Sequence, residues 1–206
     1  MNYADIKQYD VANGPGIRIS LFVSGCNHHC KGCFNEEAWD FNYGKPFTDE
    51  TIDTIIEYLN NPHIAGLTLL GGEPMEPVNQ KALLPLVKRV KDTYPDKSIW
   101  CFTGFRFDDD ILGKMYDKVP ETKELLARFD VMVDGKFIEE LKSVSLVFKG
   151  SSNQRTIMVQ AYQYNLHLRP KSMLIEAGAQ TNTVQEELNA MEPLAKLLDL
   201  ELKGER

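Results

Sequence analysis

Three of the chain's four cysteines fall within eight residues, Cys26-Asn27-His28-His29-Cys30-Lys31-Gly32-Cys33, and this feature constrains the chain most. Three neighbouring thiols cannot pair among themselves without leaving one over, so a disulfide framework is a poor account of them. In a reducing compartment such a group more often binds metal or does redox chemistry. Thiolates are soft ligands that suit zinc or an iron–sulfur cluster. Spacings of three and then two intervening residues let one loop wrap a cluster and bind three of its irons. The fourth cysteine, Cys101 in Ser98-Ile99-Trp100-Cys101-Phe102, reads as a core residue of a strand. The cluster would then keep one iron open, and an open coordination position makes a metal site reactive. The alternative is a noncatalytic zinc-binding module. It would need a fourth ligand from His28 or His29, whereas zinc ligands usually come as two pairs separated by a longer stretch. Both histidines read as solvent-facing loop residues.

Hydrophobic periodicity places these cysteines in a fold. Residues 17–23 alternate and are rich in β-branched and aromatic side chains, which predicts a strand ending at the cysteine loop. Residues 48–59 have helical spacing with Thr48 as N-cap, and 65–70 form a short apolar run stopped by Gly71-Gly72. A helix is predicted over 78–94, a strand over 98–102, short helices over 108–116 and 121–128, and strands over 129–133 and 144–148. Strands alternating with helices predict an α/β fold with a parallel sheet and helical crossovers. In such sheets chemistry sits beyond the carboxyl ends of the strands. The cysteine loop and Gly71-Gly72-Glu73-Pro74 both follow predicted strands, so they should open onto one rim.

Bulk properties narrow the partners. With 206 residues, 43% hydrophobic and 26% charged, the chain can bury a real core. Its net charge of −7 disfavours nonspecific nucleic-acid binding, which needs a basic surface. Residues 1–10 show neither a basic start nor an apolar stretch, and no run approaches a membrane span. The expectation is a cytoplasmic protein without nucleic-acid or membrane partners.

At this point the sequence meets a family. Cys26-x-x-x-Cys30-x-x-Cys33, followed by Phe34, resembles the signature of the radical S-adenosylmethionine superfamily, and Gly71-Gly72-Glu73-Pro74 resembles its second motif. Five further stretches resemble the activating proteins of anaerobic ribonucleotide reductases: Asn13-Gly14-Pro15-Gly16-Ile17-Arg18, the whole cysteine loop, Phe102-Thr103-Gly104-Phe105, Val133-Asp134-Gly135-Lys136-Phe137 and Phe148-Lys149-Gly150-Ser151-Ser152-Asn153-Gln154-Arg155. The resemblance covers residues 1–158. It departs at Asn13, where Asp is common in the family, and at Cys101, where an aromatic is usual.

The resemblance implies an open partial βα barrel holding a [4Fe–4S] cluster on Cys26, Cys30 and Cys33. It further implies that the open iron chelates S-adenosylmethionine, which is cleaved to a 5′-deoxyadenosyl radical. That radical would generate a glycyl radical on the large subunit of anaerobic ribonucleotide reductase, with reduced flavodoxin or a similar donor supplying the electron. Gly32 and Phe34 would line the cofactor, Gly72 would admit its methionyl end, and Glu73 would accept from the ammonium group. Asp134 and Gly135 would lie near the ribose, while Asn153 and Arg155 would position the cofactor or the partner. An activase of another glycyl-radical enzyme, such as pyruvate formate-lyase, is the nearest rival; the Gly-Ser-Ser-Asn-Gln-Arg stretch and the small size disfavour it.

A different resemblance begins past residue 160. Tyr164-Asn165-Leu166-His167, the run from Pro170 to Thr183 and residues 186–198 are similar to the end of stage II sporulation protein P, a peptidoglycan hydrolase, with Glu176 at the place of a zinc-site glutamate. The remaining ligand positions of that enzyme are missing, and His167 with Glu176 cannot make a three-ligand zinc site. The expected organisation is an activase domain over 1–158 and an inactive strand–helix appendage over 159–206. Its helix, at 184–200, presents an apolar face of Leu188, Met191, Leu194, Ala195, Leu197 and Leu198.

Overall fold

Strands β2 (Ile17–Val23), β4 (Ile64–Gly71), β5 (Ser98–Phe102) and β6 (Val131–Asp134) run parallel through the centre of a seven-stranded sheet. The structure, a computed structural model, describes residues 1–159 and the helical pair 194–195. The sheet order is β3-β1-β2-β4-β5-β6-β7. At one edge β1 (Asn2–Asp10) and the two-residue β3 (Lys45–Pro46) are antiparallel; at the other, β7 (Arg155–Met158) pairs antiparallel with β6. The protein is thus mixed α/β.

Buried parallel strands need covered faces, which accounts for their near-continuous apolar runs. Crossover helices supply the cover: α1 (Asp49–Leu59), α2 (Pro77–Thr93) and α3 (Pro120–Leu126), the last preceded by a π-helical segment (Phe107–Met115). Thr48 stands before the first turn of α1, and Thr51 Oγ1 accepts its backbone N–H at 3.2 Å. Proline opens α2, where the missing N–H has no helical partner to lose. Ile52, Ile55 and Leu59 of α1 and Leu83, Leu86, Val87 and Val90 of α2 pack on Leu21, Val23, Leu67, Leu69, Ile99 and Met132 of the sheet. Burying each such side chain stabilises the fold by roughly 1.5–3 kcal/mol relative to leaving it exposed.

The core also holds a cation. Arg18 of β2 is fully buried and donates to Thr68 Oγ1 (2.7 Å), Ser98 Oγ (3.0 Å) and the carbonyls of Leu67 (2.7 Å) and Ser98 (2.8 Å). Its guanidinium lies 5.7 Å from the Trp100 ring centroid. Burial pulls its pKa down to about 10. Thr68 Oγ1 passes the link on to the carbonyl of Asn13 at 2.8 Å, fixing the loop before β2.

The chain divides into two compact units, Met1–Ala161 and Tyr162–Arg206. The strand and helix expected in the tail lie outside the described residues, apart from the helical pair 194–195. Among the described residues, no helix is long and apolar enough to cross a membrane.

Two sequence expectations are corrected. Residues 144–148 form no strand: the segment is a series of turns with Val144 fully exposed, and Phe148 adopts φ 51°. The apolar run misleads because Val144 and Val147 face solvent, while Leu146 is half-buried and Phe148 packs edge-on against Trp100 at 5.6 Å. The strand at that sheet edge is β7 instead. The helix expected over 108–116 is a π-helical segment, its start fixed by Arg106 N–H donating to Asp110 Oδ2 at 3.0 Å. In addition, β1 went unpredicted.

Candidate functional site

Because β2, β4, β5 and β6 are parallel, the segments that follow them emerge on one rim. Between them lies a cavity of about 320 Å³. This is within the roughly 300–1,000 Å³ of small-molecule sites. Its wall includes Cys26, Cys30, Cys33, Phe34, Gly72, Glu73 and Gly135, seven of the nine residues expected to ligate the cluster or lie along the cofactor. Leu70, Phe102, Phe137 and Phe148 give it an apolar lining. Gly32 and Asp134 stand outside the wall. Gly32 has φ 69° and packs against the Glu139 side chain, and Asp134 is engaged by Arg155.

Main-chain bonds weave the cysteine loop and the turn after β4 into one body. Gly72 N–H donates to the Val23 carbonyl (2.7 Å) and Glu73 N–H to that of Gly25 (2.8 Å). Gly25 N–H and Cys26 N–H in turn donate to Ala38 (2.8 Å) and Trp39 (3.1 Å). A Cβ at Gly72 would meet the Gly25 carbonyl oxygen at 2.7 Å, so glycine here serves the crossing of two backbones. Asn79, buried in the first turn of α2, donates to the carbonyls of Ser24 (3.0 Å) and Glu73 (2.9 Å).

Cys33 Sγ accepts the backbone N–H of Asn35 at 3.4 Å. Nearby backbone N–H groups, of His28 and His29 at Cys26 and of Phe137 at Cys30, act to lower the pKa of those two thiols. Burial nevertheless pushes the Cys26 thiol up to about 11, and burial also raises Cys30. Such groups hold thiolate readily only when a cation shares the site. Among the described residues, no three or more His, Cys, Asp or Glu side chains gather closely enough to hold one metal ion. The three thiols stand instead around a shared cavity. That arrangement fits a cluster with several metal corners. Cys101 is fully buried in β5, away from the cavity wall.

Comparison with known proteins identifies the family. The 4Fe-4S single cluster domain family matches residues 12–157. The anaerobic ribonucleoside-triphosphate reductase-activating protein of Haemophilus influenzae is 46% identical over 156 residues, covering 75% of this chain and 96% of that protein. The chain belongs to this activating-protein family. Its namesake in Escherichia coli (strain K12) is 42% identical over the same shares of both chains. That of Enterobacteria phage T4 is 40% identical over 155 residues, 75% of this chain and 92% of the phage protein. A further match, to stage II sporulation protein P, spans residues 135–199 and overlaps the first over 135–157. Most of that stretch lies outside the described residues.

Two features of this family member were not read from its sequence. His28 faces inward rather than toward solvent: its Nε2 lies 2.9 Å from Glu73 Oε2, with the side chain 9% exposed. Glu73 is itself buried and accepts four hydrogen bonds, from His28, Gly104 N–H (2.7 Å), Thr103 Oγ1 (2.7 Å) and Met75 N–H (2.8 Å). The Gly150–Arg155 side chains also work internally. Gln154 binds Gly135, Gly150 and Ser151, Asn153 Nδ2 donates to the Lys136 carbonyl at 2.9 Å, and Arg155 binds Asp134 and Asp108. The signal for these roles was the alternation of polar side chains with tight-turn residues, which does not say whether a polar group serves a ligand or its own backbone.

Proposed function

We propose that this chain is a radical S-adenosylmethionine activase that generates a glycyl radical on anaerobic ribonucleotide reductase. The reading is carried by one observation: three thiols stand around the cavity at the carboxyl ends of four parallel strands. Family membership and the relatives' printed name support it. In this reading Cys26, Cys30 and Cys33 hold a [4Fe–4S] cluster with one open iron. When bound, the cluster and S-adenosylmethionine supply reductive cleavage of a sulfonium and, through it, hydrogen abstraction from a glycine.

The chain's own residues bind, orient and shield. Gly72 and the turn that Glu73 holds receive the methionyl end, with Glu73 acting on the ammonium mainly through that turn because its own acceptor sites are engaged. Phe34, 85% exposed, closes one side of the mouth, and Gly135 leaves room at the other. The apolar wall of Leu70, Phe102, Phe137 and Phe148 excludes water from a reactive centre. Gly32 shapes the loop beside the cofactor and Asp134 anchors the rim near the ribose. The sheet is an open partial barrel, residues 1–158 form the activase domain, and residues 159–206 are an appendage without hydrolase activity. The setting is cytoplasmic, with reduced flavodoxin or a similar protein as electron donor.

The test is anaerobic reconstitution with iron and sulfide, reduction, and incubation with S-adenosylmethionine. Methionine and 5′-deoxyadenosine should be released by the wild-type chain and lost on Cys30→Ala. Absence of both products from iron-loaded, reduced protein would refute the reading.

A further inference from the structure

Three residues separate Cys26 from Cys30, and only the middle one turns inward. Asn27 and His29 are exposed, whereas His28 is half-buried and lines the cavity. His29 adopts φ 49°, a left-handed conformation uncommon outside glycine, and its ring lies 4.6 Å from that of Trp39. The anchor beside it is His28. A carboxylate only accepts, so His28 Nε2 carries the proton that bonds Glu73 Oε2 at 2.9 Å. The ring also packs on Phe105 with centroids 4.4 Å apart. Space for it exists because residue 104 is glycine: a Cβ there would lie 2.4 Å from His28 Cδ2.

This anchoring has a target. His28 stands in the three-residue link between Cys26 and Cys30, so what fixes its ring also fixes the backbone that joins two of the site's thiols. Glu73 in turn is fixed by Thr103 and Gly104 after β5 and by Met75 before α2. The carboxylate therefore ties the ends of three strands together: His28 follows β2, Glu73 follows β4, and Thr103 follows β5.

We infer that His28, held by Glu73, is a positioning residue that fixes the backbone between Cys26 and Cys30 and with it the aim of their two thiols. The inference rests on the cluster-bearing activase reading and adds to it a residue outside the three-cysteine signature. Groups that orient the ligands of a centre set both its retention and its electronic properties. Loss of the anchor should free the 27–29 backbone and let the Cys26 and Cys30 thiols shift.

The full-length chain is reconstituted anaerobically as wild type, His28→Ala, His28→Gln and Gly104→Ala, with circular dichroism confirming each fold. Iron retained against a chelator and the spin-resonance g values of the reduced cluster are then read. His28→Ala should hold the cluster about tenfold less tightly and shift its g values. His28→Gln, whose amide N–H reaches the same carboxylate, should restore both. Gly104→Ala, which displaces the ring without touching a cysteine, should reproduce His28→Ala. Wild-type protein that takes up no iron and sulfide overturns the activase reading and this inference with it. A loaded wild type matched in retention and g values by His28→Ala overturns the inference alone, as does a His28→Gln variant as impaired as His28→Ala.

Discussion

Arg155 Nε donates to Asp134 Oδ1 at 3.0 Å, and Nη2 of the same guanidinium reaches Oδ2, a forked pair at the end of β6. Asp134 is buried, and Phe107 N–H also donates to it, at 2.8 Å. The carboxylate is therefore a brace between β6, β7 and the start of the π-helical segment. Forked pairs of this kind fix geometry as well as charge.

The brace sets a pH dependence. Burial alone would raise the Asp134 pKa, but the Arg155 hydrogen bonds and charge and the Phe107 N–H outweigh it and hold the group below the ordinary carboxylate range. Its contribution to stability is complete above the unfolded-state pKa of about 3.9 and is lost as pH falls through the folded value. Arg155→Ala should cost about 2 kcal/mol at neutral pH. The difference in urea midpoint from wild type should shrink below about pH 4 as the carboxylate protonates. An equal difference at pH 7 and pH 3 would contradict the brace.

A second prediction separates the cysteines. Cys26→Ala, Cys30→Ala and Cys33→Ala should each lose most of the roughly four irons and four sulfides of a cuboidal cluster. Cys101→Ala should keep them, because that thiol is enclosed in β5. Its effect should be confined to a small loss of thermal stability from the cavity left behind. Equal loss of iron from Cys101→Ala would mean a four-thiolate site.

Arg18 offers a test of the sheet itself. Its five N–H groups serve two hydroxyls and two carbonyls in a space without a carboxylate in hydrogen-bond range. Arg18→Ala should destabilise by about 3 kcal/mol through unmade hydrogen bonds and an unfilled space. Arg18→Lys should recover only part, since an ammonium cannot span the same acceptors. Thermal midpoints of the three chains decide it; a lysine variant equal to wild type would show that charge, not the fork, matters.

What could be read from the residues alone was the alternation that builds the parallel core and the cysteine spacing that marks its rim. Ile17–Val23, Asp49–Leu59 and Ser98–Phe102 announced themselves by periodicity because one or both faces are buried. Strand β1 did not, since its alternate half-buried positions Asn2, Ala4 and Gln8 are small or polar and leave Ile6 as the one large apolar side chain among them. Residues 144–148 misled for the opposite reason, since Val144 and Val147 are apolar yet exposed. At the site, residue type identified Glu73 but not its use. Whether a carboxylate faces a ligand or four protein donors depends on Thr103, Gly104 and His28, which are 30, 31 and 45 residues away in sequence. No local pattern encodes such a meeting.

The tail yields a fourth prediction. Residues 1–159 include every position matched to cluster and cofactor. A chain ended after residue 159 should therefore keep iron content and cofactor cleavage within a few-fold of the full chain, and lose solubility or thermal stability if the apolar positions of 184–200 pack on a partner surface. Glu176→Ala should be silent in both radical and peptidoglycan assays. Loss of cleavage in a truncated chain that stays folded and iron-loaded, or release of peptidoglycan fragments by the zinc-supplemented full chain, would give the tail a function.

The central claim is the transfer of a radical to a partner. It is tested most directly by spin resonance on a mixture of reduced, iron-loaded protein, S-adenosylmethionine and the large subunit of an anaerobic ribonucleotide reductase. A glycyl-radical signal should appear only when all three are present and vanish on Cys33→Ala. Cofactor cleavage that leaves no radical on the reductase, while pyruvate formate-lyase under the same conditions acquires one, would contradict the account.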